Sequence, residues 1–507
     1  MKLKFFAFIT GLLFISVCNA DNTLSANNKI SGYLKKPTGQ YGVGFKDFHW
    51  INNNACPDFN FNGKNHDDFS PSNINHCHEI LVRIYYPADM QIRQSYPYYQ
   101  PFINWKKQEI LRQVPDIDKK QIEQLNQLKS YAAKNVPVTV GKKFPTLLFS
   151  PGFAYPAEAY ENYITELVSQ GYIVVGINTP FINLVQLPNN HVVEATSSMT
   201  DDELENKLVP LQAQDLRFTL DKLKDLHKTS RLFLSMDLNH IGLFGHSIGA
   251  RVLADVVHAY PTDFEAAVTL DIGIDESGKS LKKFTIPFMH AIAADRKLLP
   301  PRADLPPVIF ELGKNGYLVG FSPNEDSHNY SSHDNFSDLS TLQNLPAYQT
   351  LLTHLKKRFE EGYNLELKSH DPTTTESDKF DKTTYVLIKK DNKWYFSVYE
   401  NKEKTKDIDV TMIAGLSETL AKLPNKVPEQ LSDLEIESIK HVMTDLHYIL
   451  FGKTFLGSGD GWMITNDINN YLVQFFNTYL KGKINPAFDN CSVLSKNTYI
   501  KCGPGLA

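Results

Sequence analysis

From Phe144 onward the chain settles into a rhythm. Short apolar runs, such as Phe144–Ser150 (FPTLLFS) and Tyr172–Ile177 (YIVVGI), alternate with longer stretches in which apolar residues recur every three or four positions. A continuous apolar run of this length predicts a strand buried on both faces, and the longer period predicts a helix with one buried face. Strands are expected at Glu79–Tyr86, stopped by Pro87, and at 144–150, 172–177, 240–244, 266–270 and 287–293, with a further one at 308–312. Helices are expected at 157–170, closed by Gly171, at 202–228 and at 248–260. Such alternation builds βαβ units with right-handed crossovers. The expected class is α/β: a mostly parallel sheet with helices on both faces.

The rhythm fails at both ends and once in between. Residues 21–78 are Asn-rich and polar and read as loops and edge structure. Residues 90–143 hold Tyr96, Tyr98, Tyr99, Phe102 and Trp105, then a polar helical stretch over 116–134. Within 355–450, Tyr385–Tyr399 (YVLIKKDNKWYFSVY) reads as a β-hairpin turning at Asp391-Asn392. Ser432 and Glu435 form a capping box that opens an amphipathic helix to Leu450. Then Ile468, Tyr471, Leu472, Phe475, Phe476, Tyr479 and Leu480 fall on one wide apolar face, so a last helix should dock on the sheet. The expected organisation is a leader at 1–20, a core at 21–354, a small α+β insertion at 355–450, and the last core helix with a tail at 451–507.

Composition narrows the class. The 507 residues are 42% hydrophobic and 21% charged, enough for a large core and unlike a disordered, collagenous or coiled-coil chain. The net charge of −5 gives no basic excess and points away from nucleic acid. Lys2 and Lys4, the apolar run Phe5–Val17 and the small residues Cys18-Asn19-Ala20 read as a secretory signal peptide, so a secreted or periplasmic location is expected. Of the 5 cysteines, Cys56, Cys77, Cys491 and Cys502 remain after its removal. In an exported chain they suggest disulfides, and sequence proximity favours Cys56–Cys77 and Cys491–Cys502. No C-x-x-C pair suggests zinc.

The chemistry centres on Gly245-His246-Ser247-Ile248-Gly249, a G-x-S-x-G between the strand at 240–244 and the helix starting near Ile248. A serine on a sharp strand-to-helix turn needs glycines two residues to each side, because neighbouring backbones crowd there. A hydroxyl is a poor nucleophile until a base takes its proton. His328 and His333 both lie in a loop after the core strands, where such a base is expected. Asp271 and Asp295 each end a strand and could orient the imidazole. Ser150-Pro151-Gly152-Phe153 is placed to bring the amide of Phe153 beside that of Ile248 as an oxyanion hole. No H-E-x-x-H, G-x-G-x-x-G or phosphate loop is present, so no metal or other cofactor is implied.

Taken together, VRIYYPAD, LLFSPGF, FGHSIGA, the T-L-D at Thr269–Asp271 and the HDNFSDL at His333–Leu339 resemble the platelet-activating-factor acetylhydrolase (plasma type II) family, a branch of the α/β-hydrolases. The resemblance spans about residues 40–345 and the helix at 466–482, and leaves 355–450 uncovered. It implies an α/β-hydrolase fold with Ser247 as nucleophile, Asp271 as acid and His333 as base. It makes His328 a loop residue and supports the amides of Phe153 and Ile248 as oxyanion donors. Pro151 stands where the family usually carries a histidine. The stretch around Asp295 also resembles related polyester and carboxylester hydrolases, whose acid follows that later strand.

The implied activity is that of a secreted serine esterase acting on short acyl chains of phospholipids, in the manner of a phospholipase A2. Within enzymes the alternative is a carboxylesterase or polyester hydrolase without phospholipid preference. Outside them it is a hydrolase fold that binds a partner, of a kind the sequence does not name, through 355–450. The expected substrate is a lipid or small ester. Tyr96–Trp105 and Phe181–Leu187 (FINLVQL) either pack on the core or form an acyl or interfacial surface in transient contact with a membrane.

Overall fold

The computed structural model describes residues 34–53, 78–89, 96–195, 204–271, 285–293, 315–321, 336–338 and 461–503, the strands of the inserted stretch, and a few shorter pieces. Residues 1–20, Cys56 and Cys77, and the helix expected at 432–450 lie outside the described residues. The chain divides into two compact units. One holds residues 32–297, 305–352 and 451–507, and the other residues 353–450 with 1–31 and 298–304.

The larger unit is built on a sheet of β1 (Gly42–Ile51), β2 (Glu79–Ala88), β3 (Ala132–Lys134), β4 (Phe144–Ser150), β5 (Ile173–Asn178), β6 (Met236–His246), β7 (Ala266–Leu270), β8 (Phe288–Ile292), β9 (Gly316–Gly320) and β10 (Tyr499–Cys502). Their spatial order is β10-β9-β8-β7-β6-β4-β5-β2-β1-β3. From β9 across to β5 every neighbouring pair is parallel. β2 is antiparallel to both of its neighbours, and β10 closes the far edge antiparallel to β9. This is the α/β-hydrolase architecture.

Strand periodicity assigns the two faces. Leu147 and Phe149 of β4 join a core with Tyr163 and Leu167 of α2 (Glu161–Ser169) and Leu472, Phe475 and Phe476 of α5 (Gly461–Lys481). Leu148, between them in sequence, joins a second core with Leu216, Leu220 and Leu223 of α3 (Val209–Leu226) and Val252, Leu253 and Val256 of α4 (Ile248–Ala259). Adjacent side chains thus feed opposite layers, which is why the strand reads as one unbroken apolar run. α1 (Gln100–Gln113) packs Phe102, Ile103 and Ile110 into the first of these cores.

Several expectations shift. β1 is a ten-residue strand in a stretch read as loops, because its outer half is partly exposed and its pattern is mixed. β2 runs on through Pro87, where only β1 still pairs with it, so the missing N–H breaks no pairing with β5. The helix expected at 202–228 is described from Leu204: α3 starts at Val209, and the turn before it, Leu204–Leu208, is a π-helix, because Pro210 has no N–H for an α-helical bond to that turn. Of the strand expected at 308–312, Glu311–Leu312 pairs with Gly505–Leu506 outside the main sheet, and β9 is the strand beside β8. Cys491 and Cys502 are bonded, with Cα atoms 5.8 Å apart.

The smaller unit contains a four-stranded antiparallel sheet of Tyr363–Leu365, Thr383–Lys390, Lys393–Glu400 and Glu403–Asp409, in that order. Lys390 pairs with Lys393, so the two strands have the register of the hairpin that the sequence predicts. Among the described residues no helix is long and apolar enough to cross a membrane.

α2 is buried on all sides, including its polar positions. The segment before β1 runs along it: Lys35 N–H donates to Asn162 Oδ1 (2.9 Å), Thr38 N–H to Glu166 Oε2 (2.8 Å) and Gly39 N–H to Ser169 Oγ (3.0 Å). Its N-terminus is capped from far along the chain. The Asp338 carboxylate accepts the N–H groups of Glu161 and Asn162, each at 2.9 Å, and the hydroxyl of Tyr98 at 2.8 Å. Burial raises Asp338 to about 7, against the pull of those donors. Burial likewise raises Glu161 to about 7, with Arg83 and the Tyr85 hydroxyl pulling it down.

A carboxyl group raised in the fold keeps its proton up to about pH 7, whereas the unfolded chain releases it near 4. Folding therefore takes up protons in that window, and stability falls as pH rises through it. For Glu161 the fall is on the order of 3 kcal/mol. The melting temperature should drop between pH 5 and 8, and Glu161→Gln should remove part of that drop. A variant profile parallel to wild type would refute this origin.

Candidate active site

β6 ends at His246 and α4 begins at Ile248, so Ser247 alone makes the turn. Its φ of 53° and ψ of −123° lie where an L-residue is strained. The flanking glycines permit it. A Cβ on Gly249 would lie 2.1 Å from the Ser150 carbonyl oxygen and 2.5 Å from that of Pro151, and one on Gly245 would lie 2.7 Å from the Gly249 backbone. The turn lifts Ser247 above the carboxyl edge of the sheet, at the positive end of α4.

β7 lies next to β6, with His246 paired to Leu270. Ser247 and Asp271 are therefore the next positions on neighbouring parallel strands, and the Ser247 N–H donates to the Leu270 carbonyl (3.0 Å). Asp271 is fully buried. Its N–H donates to the Ala291 carbonyl (2.7 Å), and its carboxylate accepts the Ala293 N–H (3.0 Å). Asp271 is thus held on both backbone and side chain from β8. Asp295 lies outside the described residues.

On the other side of β6, the turn after β4 approaches the same serine. A Cβ on Gly152 would lie 3.4 Å from Ser247 Cβ. The Gly152 N–H is already committed to the Tyr160 hydroxyl (3.1 Å), which also lies 2.8 Å from His246 Nδ1. Among the described residues the N–H groups of Phe153 and Ile248 have no acceptor. Two amides beside the serine are thus open to a developing oxyanion.

His333 and His328 lie outside the described residues. From Phe336 the chain is described again, beside His246. Phe336 is fully buried, stacks on the His246 ring (6.1 Å between centroids) and meets Phe321 edge-on (5.6 Å). Two residues later Asp338 makes the cap on α2. The structure therefore gathers Ser247, Asp271, Phe153 and Ile248 at one edge.

Backbone strain marks the same edge. Among the described residues seven non-glycine residues have positive φ, and four of them follow successive neighbours in the sheet: Ala154 after β4, Phe181 after β5, Ser247 after β6 and Asp271 after β7. Such strain persists only where the surroundings enforce it, and it collects at functional sites. Sequence reading missed Tyr160 as the tie between the oxyanion turn and the elbow; nothing in the local pattern announces it.

The two aromatic and apolar segments pack inward. Phe181, Leu184 and Leu187 are 6%, 1% and 5% exposed, and Tyr98 and Phe102 are buried too. These side chains fill the cores instead of forming an exposed apolar face, because the chain after β5 folds back and bonds the oxyanion turn, Ala154 N–H to the Ile182 carbonyl (2.7 Å). Among the described residues no three His, Cys, Asp or Glu side chains gather as a metal site.

Gly249→Ala tests the elbow. The added methyl must displace backbone, so the variant should lose about 2 kcal/mol or more of stability and, if soluble, react far more slowly with serine-directed phosphonates. Wild-type melting and labelling would show that the close approach is not required.

Residues 28–179 match the family described as platelet-activating factor acetylhydrolase, isoform II. That stretch contains the turn after β4 and ends before Ser247. No curated protein matches. Among solved structures, a ferulic acid esterase from Streptomyces cinnamoneus has a similar fold, with a TM-score of 0.53 and 15% identity, over 93% of this chain and 99% of that one.

Proposed function

We propose that the protein is a carboxylic-ester hydrolase that works through an acyl-enzyme on Ser247. The observation that carries this reading is the strained Ser247, one strand from a pinned Asp271 and beside two amides that have no acceptor among the described residues. His333 is the proposed base: it precedes Phe336, which stacks on His246, by three residues. The imidazole takes the hydroxyl proton as Oγ attacks the ester carbonyl, and Asp271 holds the ring in the tautomer that can do so. The carbonyl oxygen becomes anionic against Phe153 N–H and Ile248 N–H. The alcohol leaves with the proton from His333, and water attacks the acyl-enzyme by the same route.

The match over residues 28–179 supports short-chain acyl esters of phospholipids as substrates. The burial of Phe181, Leu184 and Leu187 favours a second reading, a carboxylesterase indifferent to lipid head groups. The leader sequence and the Cys491–Cys502 bond support an exported protein.

A fluorophosphonate probe should label the wild type and leave Ser247→Ala unlabelled. Asp271→Asn should lower kcat by about 1,000- to 10,000-fold, with Asp295→Asn within a few-fold of wild type. The reverse ranking would move the acid to the later strand. Hydrolysis of a dibutyryl phosphatidylcholine well above that of p-nitrophenyl butyrate would favour the phospholipid reading, and the opposite order the carboxylesterase.

A further inference from the structure

The oxyanion turn is held by more than its own backbone. Pro151–Gly152 and Gly152–Phe153 are successive peptide units, each planar and trans, so the C=O and N–H of one unit point in opposite directions. In the first unit, the Pro151 carbonyl accepts from Gln212 Nε2 (3.2 Å) and the Gly152 N–H donates to Tyr160 (3.1 Å). In the second, the Gly152 carbonyl accepts from Asn183 Nδ2 (3.0 Å) and from the Tyr155 N–H (3.3 Å). Its other end is the Phe153 N–H. Fixing the carbonyl of that peptide therefore fixes the direction in which the oxyanion donor points.

Asn183 is itself fixed. It is fully buried, and its Oδ1 accepts the Thr179 N–H (2.9 Å), which leaves Nδ2 facing Gly152. Thr179 donates its hydroxyl to Asp215 Oδ2 (2.7 Å), and His78 Nε2 lies 2.9 Å from the same oxygen. Gln212 and Asp215 stand three residues apart on one face of α3. One helix thus braces both the turn after β4 and the turn after β5. All of these polar groups are buried, where an unmade bond is costly, so the arrangement resists rotation of the peptide.

We infer that Asn183 is a positioning residue for the proposed ester hydrolysis, acting through the Gly152–Phe153 peptide to aim the Phe153 N–H at the tetrahedral oxyanion. The inference rests on the acyl-enzyme reading of Ser247. Asn183 touches neither nucleophile nor substrate. Its effect falls on the transition state, where charge develops on the carbonyl oxygen, and not on substrate binding.

The test uses the full-length protein with p-nitrophenyl acetate as substrate and an aryl trifluoromethyl ketone as inhibitor, whose hemiketal oxygen needs the same amides. Asn183→Leu keeps the size and removes the donor. Its kcat should fall about 10- to 100-fold with KM within about threefold of wild type, and the inhibition constant of the ketone should rise in step with the fall in kcat. Should that variant not fold, Asn183→Asp, which replaces the donor with an acceptor, is read in the same way. A kcat within about threefold of wild type, or an unchanged ketone affinity beside a reduced kcat, would overturn the inference. Ser247→Ala separates the two levels. If it keeps esterase activity, the acyl-enzyme reading fails; if it is inactive while the Asn183 variants are normal, only the positioning role fails.

Discussion

Everything at the candidate site depends on backbones packed at distances that only glycine tolerates. The elbow at Ser247 approaches the Ser150–Pro151 carbonyls so closely that Gly249 cannot carry a side chain. That contact presses the turn after β4 against the turn after β6. It also drives Ser247 to positive φ, at a cost of roughly 1–3 kcal/mol. Burial of β6 and α4 on both sides of the turn offsets the cost. Parallel strands are what make the arrangement possible. β4, β6 and β7 all end at the same edge, so three separate turns deliver an amide, a hydroxyl and a carboxylate to one place.

The fold was largely legible because parallel strands buried on both faces are unbroken apolar words. β4, β5 and β7 appear in the sequence nearly as they stand in the sheet. β1 and β9 were hidden for opposite reasons: β1 alternates irregularly along a partly exposed edge, and β9 is short and bounded by glycines. The elbow was readable because its chemistry is local, five consecutive residues between a strand and a helix. The local pattern made Asp271 one of two strand-ending aspartates, and only the resemblance at T-L-D preferred it; pairing of Leu270 with His246 places it beside the serine. Tyr160, Asn183 and Asp338 were not assigned roles at all. Each acts on a partner 31 to 177 residues away, across the fold, and no periodicity encodes such a pairing.

The α2 helix joins these parts electrically as well as sterically. Its N-terminal amides are satisfied by Asp338, just past the residues of the proposed base loop, and its first turn carries Glu161 beside the buried Arg83. Two carboxyl groups raised to about 7 sit within this one knot, each raised chiefly by burial, with Glu161 adding to the rise at Asp338 and Glu158 to the rise at Glu161. Asp338 therefore belongs to a cluster whose charge changes near neutrality. Protonation there alters how firmly Asp338 holds the start of α2.

The far side of the sheet carries a different lesson. β9 would be an open edge, with a row of backbone donors and acceptors ready to recruit another chain. β10 covers it, and the bond from Cys502 to Cys491 clamps that cover in place. The bonded loop thus works as a bolt: it keeps the β9 backbone engaged within its own chain, at the end of the sheet away from β1 and β3.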